Sequence, residues 1–261
     1  MVFFPLIKNF DGYKGWTSIH NYPPNNWEVK KIITKYVYVV WSDGKYWKFL
    51  KLDSIEPFET KTFFYEDIKN LLKSDSIPWL TISSSENLSL TKELKLENNL
   101  ETSWPMWRST IGLSDNISSV SYQGEIIPFR PNGTLLSFIP FYQSESSLKN
   151  FLVLFNLETQ PKLRFANIEF FSSKAMTKLH SAEIRNNDCN IIDITQLCND
   201  VDDLLFCVSK DISGVPLILT TSQNNTLSSF EHTHPPAAFS ILGNRFSVQS
   251  KLKKIWFEKT N

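Results

Sequence analysis

Short runs of β-branched and aromatic residues recur along this chain of 261 residues, with turn-forming residues between them. The clearest pair spans 35–41 and 46–52 and encloses Gly44. This pattern predicts a β-hairpin with Gly44 at a positive φ, because the turn chemistry between the runs suits two antiparallel strands. Further strands are predicted at 77–82, 119–126, 135–142, 150–157, 163–171, 215–221 and 227–234. Their short connections favour a mainly antiparallel arrangement.

Helical spacing of apolar residues occurs at three places. Phe64, Ile68, Leu71 and Leu72 predict an amphipathic helix, and a second helix is predicted from Val248 to Trp256, capped by Asn244 or Ser247. Between 197 and 205 a helix capped by Asp193 or Thr195 competes with a strand that begins near Leu204. The fold class that follows is β-rich α+β, with mainly antiparallel sheets and a few peripheral helices.

The length fits one domain that spans 1–261, and the polar stretch 83–102 is the alternative place for a boundary. The leucines within that stretch are equally consistent with a long connection that packs against the rest of the domain. The first forty residues contain many aromatic and turn-forming residues, which predicts an irregular, well-packed lead-in. No unit of 20 to 50 residues repeats along the sequence, which argues against solenoids and propellers.

The charge balance, 27 basic against 27 acidic residues, gives no reason to expect a nucleic-acid partner. No apolar stretch is long enough for a membrane-spanning helix, and the N-terminus does not resemble a signal peptide. We therefore expect a soluble, cytoplasmic protein. The three cysteines do not match a disulfide framework, so we expect buried free thiols.

The segment Glu231-His232-Thr233-His234-Pro235-Pro236 is the strongest candidate for chemistry. Residues two apart share a face of a strand, so His232 and His234 should project together beside Phe230. The two prolines end the strand and place the pair near a sheet rim. The imidazoles could bind a divalent metal as cofactor, or one could act in acid–base catalysis, or both could be structural.

A metal site would need at least a third protein ligand, and spacing does not choose among the eligible residues Glu125, Asp188, Cys189 and Asp193. Glu125 is also the candidate carboxylate across the cleft from the histidines in an acid–base mechanism. It belongs to the segment Tyr122-Gln123-Gly124-Glu125.

In that segment Gly124 predicts a bulge or a close backbone approach. Gln123 and Glu125 share a polar row with Ser121 that either binds a hydroxyl-rich ligand or faces water. Tyr122 and Gln123 are therefore candidate substrate-binding residues. Arg130 is a further candidate, as a contact for an anionic group, with a surface ion pair as its alternative.

Gly243-Asn244-Arg245 precedes the last predicted helix. Backbone N–H groups at such a helix start can bind an anionic group, with Asn244 and Arg245 as assisting side chains. A turn and helix cap explain the same residues without a ligand.

Two functions of different class are consistent with these features. The first is an enzyme that acts on a small polar substrate, such as a sugar or sugar derivative in glycan metabolism, through His232, His234 and Glu125. The second is a non-catalytic β-rich binding or assembly protein that recognises a glycan or a protein. The aromatic content of 14% supports a carbohydrate ligand weakly, because aromatic residues are also ordinary strand and core residues.

Overall fold

A computed structural model describes residues 2–22, 33–72, 77–89, 91–94, 109–139, 148–197, 203–222, 224, 226–233 and 245–260. The chain divides into two compact units. Unit 1 contains Met1–Arg130, Leu157–Leu163 and Asn187–Cys189, and unit 2 contains Pro131–Asn156, Arg164–Asn186 and Asn190–Asn261. A single domain over 1–261, with 83–102 as an alternative boundary, stays a prediction, because compact packing is not a measure of independent folding.

Unit 1 has two four-stranded antiparallel sheets. Its strands are β1 (Phe3–Pro5), β2 (Lys14–His20), β3 (Lys35–Ser42), β4 (Trp47–Ile55), β5 (Thr60–Phe64), β6 (Trp79–Ser83), β7 (Ser109–Ser114) and β8 (Ser119–Gln123). Helix α1 (Tyr65–Leu72) lies between β5 and β6 in the chain. The sheet orders are β1-β6-β3-β4 and β5-β2-β7-β8.

Unit 2 also has two four-stranded sheets. Its strands are β9 (Leu135–Ile139), β10 (Leu148–Asn156), β11 (Phe165–Ser172), β12 (Lys178–Arg185), β13 (Asp188–Asp193), β14 (Leu205–Ser209), β15 (Val215–Ser222) and β16 (Leu227–His232). The first two residues of β13, Asp188 and Cys189, are assigned to unit 1 and the other four to unit 2. A short 3-10 helix covers Thr195–Leu197, and helix α2 covers Arg245–Lys259. The sheet orders are β12-β11-β14-β9 and β13-β10-β15-β16.

The two units share one strand order. Numbered from one to eight within each unit, the strands form sheets of order 1-6-3-4 and 5-2-7-8 in both. The third and fourth strands of both units are also paired with a register irregularity, at Val37/Tyr38 and at Phe170/Phe171. The structure therefore contains the same topology twice, which a search for repeats of 20 to 50 residues does not detect.

The two sheets of each unit pack face to face on a shared apolar core, as in a β-sandwich. In unit 1, Val39 and Leu80 of one sheet pack with Ile19 of the other and with Ile68 of α1. In unit 2, Leu152 and Ile218 of one sheet pack with residues of the other, including Ile168, Phe170 and Leu205.

Two of the sheets are also covered on their outer faces. In unit 1 the indole N–H groups of Trp47 and Trp79 donate to the carbonyls of Thr159 and Asn187, 2.9 and 3.4 Å away, so the segments 157–163 and 187–189 contact the β1-β6-β3-β4 sheet. In unit 2, Trp256 of α2 packs edge-to-face on Phe206, with ring centroids 5.1 Å apart. Helix α2 therefore covers part of the β12-β11-β14-β9 sheet.

Most predicted elements are confirmed. The hairpin forms as β3 and β4 with Gly44 at φ 88°. The amphipathic helix predicted around Ile68 forms as α1. The prediction that the first forty residues form an irregular lead-in is wrong, because β1 and β2 lie there. The strand predicted to begin near Leu204 forms as β14, whereas 198–202, the centre of the alternative helix, lies outside the described residues. The architecture is β-rich and antiparallel, and the α+β label fits it only loosely.

Cys189 and Cys207 are buried free thiols, as predicted, and Cys198 lies outside the described residues. Burial raises the pKa of both described thiols to about 12. No helix in the described part of the chain is both long and apolar enough to cross a bilayer.

Candidate functional site

The outer face of the β5-β2-β7-β8 sheet is the strongest candidate for a functional surface. Cross-strand partners share a face of a sheet, so the registers place thirteen residues together. We call this surface the polar face, and it consists of Lys14, Trp16, Ser18, His20, Thr60, Thr62, Phe64, Thr110, Gly112, Ser114, Ser119, Ser121 and Gln123. All of them except Gly112 are exposed or partly exposed.

The opposite face of the same sheet explains why these residues point outward. In β2 the alternate residues Gly15, Thr17 and Ile19 are buried. Thr17 is buried although it is polar, because its hydroxyl donates to the carbonyl of Pro5 at 2.7 Å. Gly15 is required there, since a Cβ would lie 1.7 Å from the carbonyl oxygen of Ile7. The inner residues therefore fix the orientation of Trp16, Ser18 and His20.

His20 is held between two strands by hydroxyl groups. Its Nδ1 lies 2.9 Å from Thr60 Oγ1, and its Nε2 lies 3.3 Å from Thr110 Oγ1. A neutral imidazole has one donor and one acceptor nitrogen, and these two hydroxyls can satisfy both. Partial burial lowers the pKa of His20 below 6.5, so the ring is neutral at pH 7.

A second hydroxyl pair lies beside the histidine. Ser18 Oγ and Thr62 Oγ1 are hydrogen-bonded at 2.7 Å, and Ser18 is also the cross-strand partner of Thr110. Gln123 continues this row as the partner of Thr110 on β8. Each hydroxyl has one donor and two acceptor positions, so the pair retains hydrogen-bonding capacity toward a ligand.

The aromatic part of the polar face is centred on Trp16. A Cβ built at Gly112 would lie 2.3 Å from Cζ2 of Trp16, so the indole covers the backbone of this glycine. Phe64 is the partner of Trp16 on the other side and is 41% exposed. The aromatic side chains of Trp16 and Phe64 therefore lie next to the hydroxyl groups of the polar face. Small-molecule sites use this combination of apolar and polar contacts.

The polar face carries little charge. Lys14 is the one residue among the thirteen with a permanent charge at pH 7, because His20 is neutral there. The described residues also contain no group of three or more His, Cys, Asp or Glu side chains placed to hold a metal ion. The polar face is therefore rich in hydroxyl groups and almost uncharged.

The predicted residues of β8 divide between the two sides of this sheet. Gln123 lies on the polar face with Ser121, as the alternation predicted, whereas Tyr122 lies on the inner side opposite Ile111. Burial raises the pKa of Tyr122. The Ile111 side chain lies close to the backbone of Gly124, since a Cβ there would lie 2.4 Å from Cγ2 of Ile111. Its N–H continues the ladder to the carbonyl of Ser109 at 3.2 Å.

Only part of the predicted His-x-His segment lies within the described residues. His232 is exposed at the end of β16, an edge strand, as predicted for a sheet rim. It pairs with Leu217 and shares a face with Phe230. His234 and Asn244 lie outside the described residues, and Arg245 is the first residue of α2, with a side chain outside the described part. The roles of these residues stay predictions.

The remaining candidates are placed without forming a described cluster. Glu125 is partly buried and Arg130 exposed, both in unit 1, whereas His232 belongs to unit 2. Of the eligible third metal ligands, Cys189 favours the protonated thiol because burial raises its pKa. Asp193 accepts a hydrogen bond from the backbone N–H of Thr195 at 2.9 Å, at the start of the short 3-10 helix Thr195–Leu197.

Most residues of the polar face were missed in the sequence. The signal in β2 is the alternation in 14–20, but it is obscured because two of its three inner residues, Gly15 and Thr17, are not aliphatic.

Searches of protein-family profiles, curated proteins and solved structures found no match to this chain.

Proposed function

We propose that this protein is a non-catalytic glycan-binding protein, and that the polar face of the β5-β2-β7-β8 sheet binds a neutral carbohydrate. The observation that carries the proposal is the continuous row of Thr62, Ser18, Thr110 and Gln123 beside the indole of Trp16. Sugars present hydroxyl groups at their rims and C–H groups on their ring faces. The polar face offers a partner for each.

Hydrogen-bonding groups supply the first kind of contact. The hydroxyls of Ser18 and Thr62 orient each other, and His20 orients those of Thr60 and Thr110. Groups that are already ordered lose less conformational entropy when a ligand binds. The row can therefore recognise sugar hydroxyls without rearrangement of the sheet.

Aromatic rings supply the second kind of contact. The face of an aromatic ring is electron-rich and attracts the partly positive C–H groups of a sugar. Trp16 has one side on the Gly112 backbone, and Phe64 is its exposed neighbour across β5. These rings favour a ligand that has an apolar ring face as well as hydroxyls.

The same composition argues against other partners. A nucleic acid requires clustered Lys and Arg side chains, and the polar face has only Lys14. The core of a protein–protein interface is enriched in apolar and aromatic residues, whereas nine of the thirteen residues here are Ser, Thr, Gln or Lys at exposed or partly exposed positions. An uncharged glycan fits this surface better than either.

The test is isothermal titration calorimetry with cello-, xylo-, manno- and chito-oligosaccharides of matched length. We expect at least one series to bind and Trp16→Ala to weaken it about tenfold or more, as for an aromatic hot spot. Thr62→Val, which removes one hydroxyl at nearly constant volume, should weaken binding severalfold. Ser181→Val, on the exposed strand β12 of unit 2, is the matched control and should bind normally.

Absence of binding across all four series would overturn the proposal. So would binding that Trp16→Ala and Thr62→Val leave at the wild-type level, because the ligand would then contact another surface.

A further inference from the structure

An exposed aromatic pair lies next to the polar face, on the turn that connects β4 to β5. Residues 56–59 form a β-turn in which the N–H of Glu59 donates to the carbonyl of Glu56 at 3.1 Å. Pro57 occupies its second position, and Phe58 occupies the third with φ 67°. Proline followed by a positive φ is the arrangement of a type II turn.

Phenylalanine is an unfavourable residue at this position. A positive φ at the third position of a type II turn suits Gly or Asn, and a bulky side chain there is strained. Phe58 does not offset this strain by burial, because 60% of its surface is exposed. Stability alone therefore does not account for Phe58.

The turn holds the Phe58 ring against Tyr22. The N–H of Phe58 donates to the carbonyl of Asn21 at 2.8 Å, and the N–H of Asn21 donates to the carbonyl of Glu59 at 3.0 Å. The amide of Asn21 also donates to the carbonyl of Ile55 at 3.0 Å. These bonds fasten the turn to the end of β2. The Tyr22 and Phe58 rings meet edge-to-face, with centroids 6.2 Å apart.

The pair continues the polar face along the direction of β2. The Tyr22 ring lies 6.5 Å from the His20 ring, and Tyr22 is 51% exposed. Along β2 the distance from Trp16 to His20 is about 13 Å at the usual rise of a strand, and Tyr22 follows His20 in the chain. One aromatic group therefore lies on each side of the hydroxyl row, and the two groups are farther apart than a single sugar ring can reach.

We infer that Tyr22 and Phe58 form a second aromatic subsite, which makes the polar face specific for an extended oligosaccharide chain over a short sugar. The inference rests on the proposed glycan-binding function and adds the length of the ligand. A chain that lies along β2 contacts Trp16 and Phe64 at one end, the hydroxyl row in the middle and the Tyr22–Phe58 pair at the other end. A disaccharide on Trp16 does not reach the pair.

The experiment removes the ring while the turn keeps its backbone conformation. Phe58→Asn and Phe58→Gly place residues that favour a positive φ at this position. Binding of the disaccharide and the hexasaccharide of each neutral series is measured by calorimetry, and Tm is measured by differential scanning calorimetry. Phe165→Ala is the matched control, since Phe165 of unit 2 is 61% exposed.

We expect both Phe58 variants to weaken hexasaccharide binding about tenfold and to leave disaccharide binding unchanged. We also expect Phe58→Asn to raise Tm by about 2 °C, because the strained residue is removed. Phe165→Ala should change neither binding constant.

Two results would overturn the inference. If Trp16→Ala weakens binding of both lengths but the Phe58 variants bind the hexasaccharide normally, the glycan site stands and the second subsite does not exist. If the wild-type protein binds no oligosaccharide of any length, the proposed function and the inference both fail.

Discussion

The two units share one strand order but use the outer face of the corresponding sheet in opposite ways. In unit 1 the outer face of β5-β2-β7-β8 is the polar face and is open to solvent. In unit 2 most of the outer face of β13-β10-β15-β16 is apolar and buried, although His232 at the end of β16 is exposed. The buried residues of this face include Phe151, Val153, Phe155, Leu217, Leu219 and Phe230. The inner faces of both sheets pack on a core.

This difference shows that topology does not determine which surface is available for a ligand. The same arrangement of strands supports a solvated face or a second buried face, depending on the residues at the outward positions. Hydroxyl groups at those positions keep a face hydrated, and aliphatic groups favour its burial. A functional surface on unit 1 therefore does not imply an equivalent one on unit 2.

A charge introduced on each outer face should give the largest difference in the free energy of unfolding between the two sheets. Val153→Asp places a carboxylate at a fully buried position on β10, and we expect it to lower the free energy of unfolding by about 4 kcal/mol or prevent folding. Ser18→Asp, on the corresponding strand β2, should change it by about 0.5 kcal/mol. Urea unfolding followed by circular dichroism measures both. Equal losses in the two variants would contradict the contrast between the faces.

A methyl group at the centre of the polar face should have an intermediate effect. In Gly112→Ala the new Cβ would lie 2.3 Å from Cζ2 of Trp16 and 2.6 Å from the carbonyl oxygen of Val120. We expect a loss of about 2 kcal/mol from overpacking, together with a shift in tryptophan fluorescence as the indole moves. Ser121→Ala, on the exposed neighbour across β8, is the control and should be nearly neutral. A stable Gly112→Ala protein with an unshifted spectrum would show that Trp16 does not cover this glycine.

Acid should slightly lower the free energy of unfolding, because the folded protein binds a proton at His20 less readily than the unfolded chain does. The pKa of His20 is below 6.5 in the folded protein, so the unfolded chain takes up the proton first as the pH falls. Stability from this group is complete above about pH 6.5 and decreases as the pH falls from there to the folded-state pKa. An NMR titration should give a His20 pKa below 6.5, and His20→Gln should reduce the dependence of Tm on pH in that range. A His20 pKa above 6.5 would reverse the sign and contradict the partly buried, neutral ring.

Local sequence patterns predicted the elements whose signals are complete within a few residues. The hairpin at Gly44 combines two β-rich runs with turn residues, and α1 shows full helical spacing. The alternation of Ser119, Ser121 and Gln123 with less polar residues correctly predicted one exposed side of β8. Such patterns are read directly from the chain because the periods of strands and helices differ.

The sequence prediction failed where burial and polarity disagree. Thr17 is fully buried through its hydrogen bond to Pro5, and Gly15 is buried because Ile7 approaches its backbone. Neither residue type is typical of the inner side of a strand, so the sequence predicts an irregular segment where β2 forms. The polar face was missed with it, since β2 supplies its central residues.

The sequence by itself determined that this protein is β-rich and antiparallel, where its clearest hairpin turns and which side of β8 is polar. Those properties depend on local periodicity and turn chemistry. The tertiary structure decided that Trp16, Thr62, Thr110 and Gln123 meet on one surface and that this surface stays open while its counterpart in unit 2 is buried. Register and coverage depend on contacts between residues far apart in the chain, and no local pattern records them.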